Sequence, residues 1–195
     1  MKARNQVHTS TDQFSPLMMP AHVRTGQIMG LVDVTAELGT VTDLASLADE
    51  LGDDIDTLLP ILDTAEMLGL VEVKKGIVSL THLGSKFYHA SPNKTHLIKQ
   101  QISKIEPFKT AFDLAAHGVS SAEVTQDLSE RGIVWHHEPE LNEAAVHSLL
   151  IHWVISSGLL RYDGKNGKFQ RHGDQAQETG LQDPSIRKSS VSESN

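Results

Sequence analysis

Apolar positions along the chain recur with two different periods. Over 25–38, Ile28, Leu31, Val32, Val34 and Leu38 recur at helical spacing, and Gly39 supplies a left-handed cap. Thr42 or Asp43 can cap a short helix over 44–51, which Gly52 ends. Asp54 opens a third helix over 55–68, with Ile55, Leu58, Leu59, Ile61, Leu62 and Met67 on its apolar face. Pro60 lies past the first turn of that helix, so a bend or a shifted start is expected. The period then changes. Leu70-Val71-Glu72-Val73 and Ile77-Val78-Ser79-Leu80 flank Lys74-Lys75-Gly76 and read as two antiparallel strands. Thr81 caps a returning helix to 89.

The same order follows again, loosely. A long helix is predicted over 94–117, broken or bent near Pro107. Ser120 or Ser121 caps a helix over 122–131, a linker holds Trp135, His136, His137 and Pro139, and an amphipathic helix covers 140–156. Leu159-Leu160-Arg161-Tyr162 and Lys168-Phe169-Gln170-Arg171 flank the turn 163–167 as a second hairpin. The fold class expected is mostly α with small β hairpins (α+β), arranged as tandem winged-helix units, a variant of the helix-turn-helix. The domain boundaries are a flexible N-terminal arm at 1–19, a first unit at 20–92, a long helix plus second unit at 93–172, and a disordered tail at 173–195. The tail is rich in Gln, Ser, Asp and Glu and has too little apolar surface to offset its ordering entropy.

Composition narrows the functional classes. The 195 residues contain no cysteine, which removes disulfides, thiolate zinc sites and thiol catalysis. No apolar run reaches the roughly 18 residues of a membrane span, and 1–19 lacks the apolar segment of a secretory signal. A cytoplasmic protein without membrane insertion is expected. The net charge of −8 bears on nucleic acid, because counterion release from phosphates needs a basic face.

A winged helix would place its third helix in the DNA major groove. In the first unit that helix carries Asp54, Asp56, Asp63 and Glu66, with Asp53 just before it, and no Lys or Arg lies between Asp53 and Glu66. Carboxylates there would meet the phosphate wall and be repelled. The matching helix of the second unit, 140–156, also lacks Lys and Arg. The hairpins do carry bases. Lys74 and Lys75 lie in the first, and Arg161, Lys165, Lys168 and Arg171 in the second, which is the better nucleic-acid candidate of the two. Basic hairpin tips also keep strand edges soluble.

Eleven histidines raise the question of a divalent metal. His136, His137 and Glu138 are the first candidates, because imidazole and carboxylate ligands suit zinc and similar ions. The pattern His-Glu-x-x-His is absent, and adjacent loop histidines such as these usually face solvent. Nothing designates a nucleophile or a general base, so no enzymatic activity is expected.

Several stretches of the first unit resemble a known family. They are Gly26-Gln27-Ile28-Met29-Gly30-Leu31-Val32, Leu44-Ala45-Ser46-Leu47-Ala48-Asp49-Glu50-Leu51 and Leu58-Leu59-Pro60-Ile61-Leu62. Ala65-Glu66-Met67-Leu68-Gly69-Leu70-Val71-Glu72-Val73 and Leu80-Thr81-His82-Leu83-Gly84 continue the series, and Arg161-Tyr162-Asp163-Gly164 resembles its closing hairpin. The family is the C-terminal AAA-associated domain, usually fused behind the ATP-binding subunit of nitrate, sulfonate and bicarbonate-type ABC importers. The resemblance implies an accessory or regulatory domain. No Gly-x-x-x-x-Gly-Lys-Ser/Thr loop occurs in the chain, so any ATPase activity would belong to a partner. Two functions stand side by side at this point. One is an interaction module whose acidic residues Asp53, Asp54, Asp56, Asp63 and Glu66 dock on an ABC-importer ATP-binding subunit or on a second copy. The other is a DNA-binding regulator of transport genes, metal-responsive if the histidines hold an ion.

Overall fold

A computed structural model describes residues 18–172 of the chain. The tail at 173–195 and nearly all of the arm at 1–19 lie outside the described residues. The first half contains α1 (Thr25–Glu37), β1 (Val41–Asp43), α2 (Leu44–Leu51), α3 (Ile55–Met67), β2 (Val71–Lys74), β3 (Ile77–Leu80) and α4 (His82–Tyr88). The second contains α5 (Lys94–Ile102), α6 (Phe108–Leu114) with a 3-10 turn at Ala115–His117, and α7 (Ser121–Glu130). It ends with α8 (Pro139–Leu149), a π-helical segment Leu150–Val154, α9 (Ile155–Ser157), β4 (Arg161–Asp163) and β5 (Lys168–Gln170). The fold is α+β, mostly helical with small antiparallel sheets.

The helix starts follow from short polar side chains meeting unpaired amides. Asp43 accepts from the Ser46 amide at 2.9 Å and starts α2, and Asp54 accepts from the Thr57 amide at 2.8 Å and starts α3. Thr81 accepts from the Gly84 amide at 2.9 Å and opens α4. Ser120 and Glu123 bond reciprocally at the start of α7, a capping box. Gly84 carries a further constraint, because a Cβ there would collide with the Leu70 carbonyl. Its missing side chain lets α4 seat directly on the chain entering β2.

Two expectations at prolines are sharpened, and one boundary needs correction. Pro60 neither shifts the start of α3 nor stops it, and the helix runs from Ile55 to Met67. The carbonyl its ring leaves without a helical partner is that of Asp56, an exposed residue, where solvent is accessible. The helix over 94–117 is broken near Pro107, as its sequence indicated: α5 ends at Ile102 and Pro107 is the cap of α6. Met19 is not part of an arm. It is fully buried, and its carbonyl accepts the Trp135 indole N–H at 2.9 Å.

The sheets reveal a strand that the hydrophobic pattern did not predict. In the first half β1 joins the hairpin, giving the order β1-β3-β2, with Thr42 opposite Val78 and Val73 opposite the same residue on the other side. In the second half β4 pairs with β5, and Val119 exchanges both backbone hydrogen bonds with Phe169 of β5 at 2.9 and 2.8 Å. One residue thus occupies the place that a three-residue strand fills in the first half. Helix, strand or bridge, two helices and a hairpin therefore occur twice in the same order.

Both halves feed one continuous core, running from Met19, Ile28 and Leu62 to Phe108, Trp153 and Phe169. Among the described residues no helix is long and apolar enough to cross a membrane.

Candidate functional site

The outer face of α3 combines charge with apolar surface. At about 100° per residue, Ile55, Asp56, Leu59, Asp63 and Glu66 fall within an arc of roughly 100°. All five are exposed, and Ile55 and Leu59 each remain 41% accessible although both were expected on the core-facing side. Leu58, Ile61 and Leu62, expected on that side as well, do form the buried side with Ala65, against α1, α2 and β2. Large aliphatic side chains left in water on a rigid helix, ringed by carboxylates, form the kind of surface that a partner covers.

The acidic residues divide by role. Asp54 caps α3, and its hydrogen bonds from the Thr57 backbone and side chain hold its carboxyl below the usual carboxylate range. Glu66 accepts from the Val73 amide at 2.9 Å and ties α3 to β2. Asp53, Asp56 and Asp63 form no ion pair among the described residues. The five predicted residues thus lie at one helix, two occupied by the fold and three open to solvent.

The second hairpin is less available than its sequence indicated. The Arg171 guanidinium donates to the Phe112 carbonyl at 3.0 and 2.7 Å, reaches the Asp113 carbonyl at 3.2 Å and stacks on the Phe112 ring. Arg161 donates to the Gln170 side chain, and its Nε is buried. Only Lys165 and Lys168 of the four bases remain for phosphate. Asp163, bonded to Asn166 and the Lys165 amide, lies beside them and is held below its usual range by those bonds.

The histidines do not gather. His136 uses its Nδ1 to accept from the Glu138 amide at 3.2 Å. Among the described residues no group of three or more His, Asp or Glu side chains is arranged to hold a metal ion, and the candidates His136, His137 and Glu138 are not brought together as one. Their loop is fixed otherwise. Buried Asn142 accepts from the Trp135 and His136 amides at 2.7 and 3.2 Å and donates to Ser129 at 3.3 Å. His147 bonds Ser121 at 2.6 Å and packs edge-on against Tyr162 and Phe169. His152 lies on another side; partial burial, then the nearby Arg24 charge, hold its imidazole below the usual range.

A second surface was legible in the chain and passed unremarked. From Val73 to Ile105 there is no Asp or Glu, while Lys74, Lys75, Lys86, Lys94, Lys99 and Lys104 all fall within it. This stretch builds the first hairpin, α4 and α5. Between α4 and α5 lies an open cleft of about 530 Å³ lined by Lys86, His89, Asn93, His96 and Gln100 over Ala90 and Leu97. Scanning for the absence of acids, rather than for clusters of bases, would have found it.

The family model of the C-terminal AAA-associated domain matches residues 45–163, more than half of the chain, from α2 to the end of β4. No curated protein and no solved structure matches.

Proposed function

The chain belongs to the C-terminal AAA-associated domain family, and from that premise we propose that it is a non-catalytic, cytoplasmic accessory module. It docks on the ATP-binding subunit of an ABC-type importer and regulates it. The observation that carries this reading is the outer face of α3, where Ile55 and Leu59 are exposed among Asp56, Asp63 and Glu66. In a DNA-reading helix this face would bear Lys or Arg; here it matches a basic protein surface with an apolar centre. Carboxylates at the rim steer encounter and set orientation, and the two aliphatic side chains supply buried area. The test is affinity capture with the full chain from its source cells, followed by mass spectrometry. The expected result is enrichment of an importer ATP-binding subunit by the native chain and its loss with D56K/D63K. Capture without any such subunit contradicts the reading.

A second reading, nucleic-acid binding by the second hairpin, is favoured only by Lys165 and Lys168. A gel-shift titration at low salt tests it, since electrostatic affinity is greatest there. Absence of a shift under those conditions ends it.

A further inference from the structure

The chain carries two surfaces of opposite sign that do not pair with each other. The stretch Val73–Ile105 has lysines and no carboxylate although the whole chain is at −8, so the remainder is more acidic than the net charge implies. Of its lysines, Lys74 pairs with Glu72 at 2.5 Å and Lys94 with Asp33 at 2.6 Å. Lys75, Lys86, Lys99 and Lys104 have no carboxylate partner among the described residues. On the other side stand Asp53, Asp56 and Asp63, equally without a cationic partner there. Helix α1 packs against both α3 and α4, and no carboxylate of α3 forms an ion pair with a lysine of the stretch.

The α3 face is a helical ridge with Ile55 and Leu59 between acids. The α4–α5 cleft is open and is lined by Ala90 and Leu97 together with His89, His96 and Lys86, and Lys86 is the one of those four lysines among its lining residues. An amphipathic helix laid into a groove is a recurring recognition mode, with apolar anchors inside and charges at the rim.

We propose that the α4–α5 cleft is the docking site for the acidic α3 face of a second copy of this chain. The charge that neutralises each surface is encoded in the same sequence but is met only between molecules. The contact joins two different patches, so it is heterologous and builds rings or open chains unless a second contact closes it. Exposed charges at a rim are screened by salt, so the association is strong at low ionic strength and weak where the Debye length shrinks to about 3 Å at 1 M. The α3 face is shared with the importer-docking reading, and a subunit bound there would displace the second copy. The inference stands apart from that reading, because it requires only the purified chain.

Sedimentation velocity of the full chain at tens of micromolar tests it. The native chain is expected to associate at low salt and to become monomeric at high salt. D56K/D63K and K86E/H96E, each reversing one surface at exposed side chains, are each expected to weaken self-association at least tenfold. Mixing the two variants is expected to restore it, because the native cleft of one meets the native α3 face of the other and the two reversed surfaces complement each other. Circular dichroism of each variant confirms that the fold is retained. Three results overturn the proposal: a native chain that stays monomeric at low salt, association unchanged by either variant, or a mixture that fails to recover. Failure of importer capture with self-association intact would sink the docking reading and leave this one standing.

Discussion

Helices α3 and α8 hold the same place in the repeated order, yet the later part of α8 is crossed by another segment of the chain while its start, with Leu141, stays exposed like the outer face of α3. The later part of α8 and the π-helical segment after it lie under the chain segment leading into α1. Trp153 donates its indole N–H to the Val23 carbonyl at 3.1 Å, Ser148 reaches the Ala21 carbonyl at 3.5 Å, and Thr25 bonds Ser156 at 2.8 Å. Trp135, from the loop before α8, holds Met19 in the same way. Among the described residues no such strap crosses α3, whose Ile55 and Leu59 stay exposed. The difference teaches where recognition is possible. The second half uses the end of its helix to join the two halves into one core, and the first half leaves one face of α3 in solvent.

The largest effect that would break this comparison is loss of the strap's anchor. Trp153 is fully buried, packs near Phe108 and bonds Val23, so Trp153→Ala is expected to cost about 3–5 kcal/mol in a denaturant titration. A small loss would mean that the strap is not held by the core. Asn142→Ala comes next. It strands the Trp135 and His136 amides and should cost about 1–3 kcal/mol in the same measurement.

The open helix should respond in the opposite manner. Ile55→Ala with Leu59→Ala is expected to change stability little, within about 0.5 kcal/mol per site as is usual for exposed positions. The same double substitution should weaken importer-subunit binding about tenfold, read by isothermal titration, since each 1.4 kcal/mol is tenfold. A large stability loss would show that these side chains serve the core after all.

The smallest effect concerns acid. Asp43, Asp54, Asp163 and Glu123 are all held below the usual carboxylate range by hydrogen bonds. Their folded values lie below their unfolded ones, so their contribution is complete above the unfolded values and is lost as pH falls through the folded ones. His152 is held low as well, by burial and then the Arg24 charge, so melting temperature should begin a small decline as pH falls below about 6.5 and a further one below about pH 4, near the ordinary carboxylate range. Asp54→Asn should make that further decline shallower.

Much of the first half was legible because each helix carries its own boundary signal. Asp54 and Thr81 act as the caps their positions implied, and the apolar period of α1 and the hairpin chemistry at Lys74-Lys75-Gly76 needed no tertiary information. What escaped the reading depends on contacts distant in sequence. Strand β1 is three residues long and exists because Thr42 pairs with Val78. Met19 looked like part of a polar arm until Trp135 reached it from more than a hundred residues away. On α3 the acids were legible, and so were the core positions Leu58, Ile61 and Leu62, but the apolar face was drawn too wide: Ile55 and Leu59 read as core and lie in solvent. Arg171 and Arg161 counted as free bases because sequence shows charge and not the Phe112 carbonyl or the Gln170 side chain that occupies it.

The central claim is that α3 is the partner-binding helix of an accessory module. Titration of the purified chain into a purified importer ATP-binding subunit, followed by calorimetry, tests it most directly. The account predicts saturable binding that weakens with salt and is abolished by D56K/D63K without loss of the chain's folded circular dichroism spectrum. Absence of binding, or binding unaffected by reversing those two charges, would contradict it.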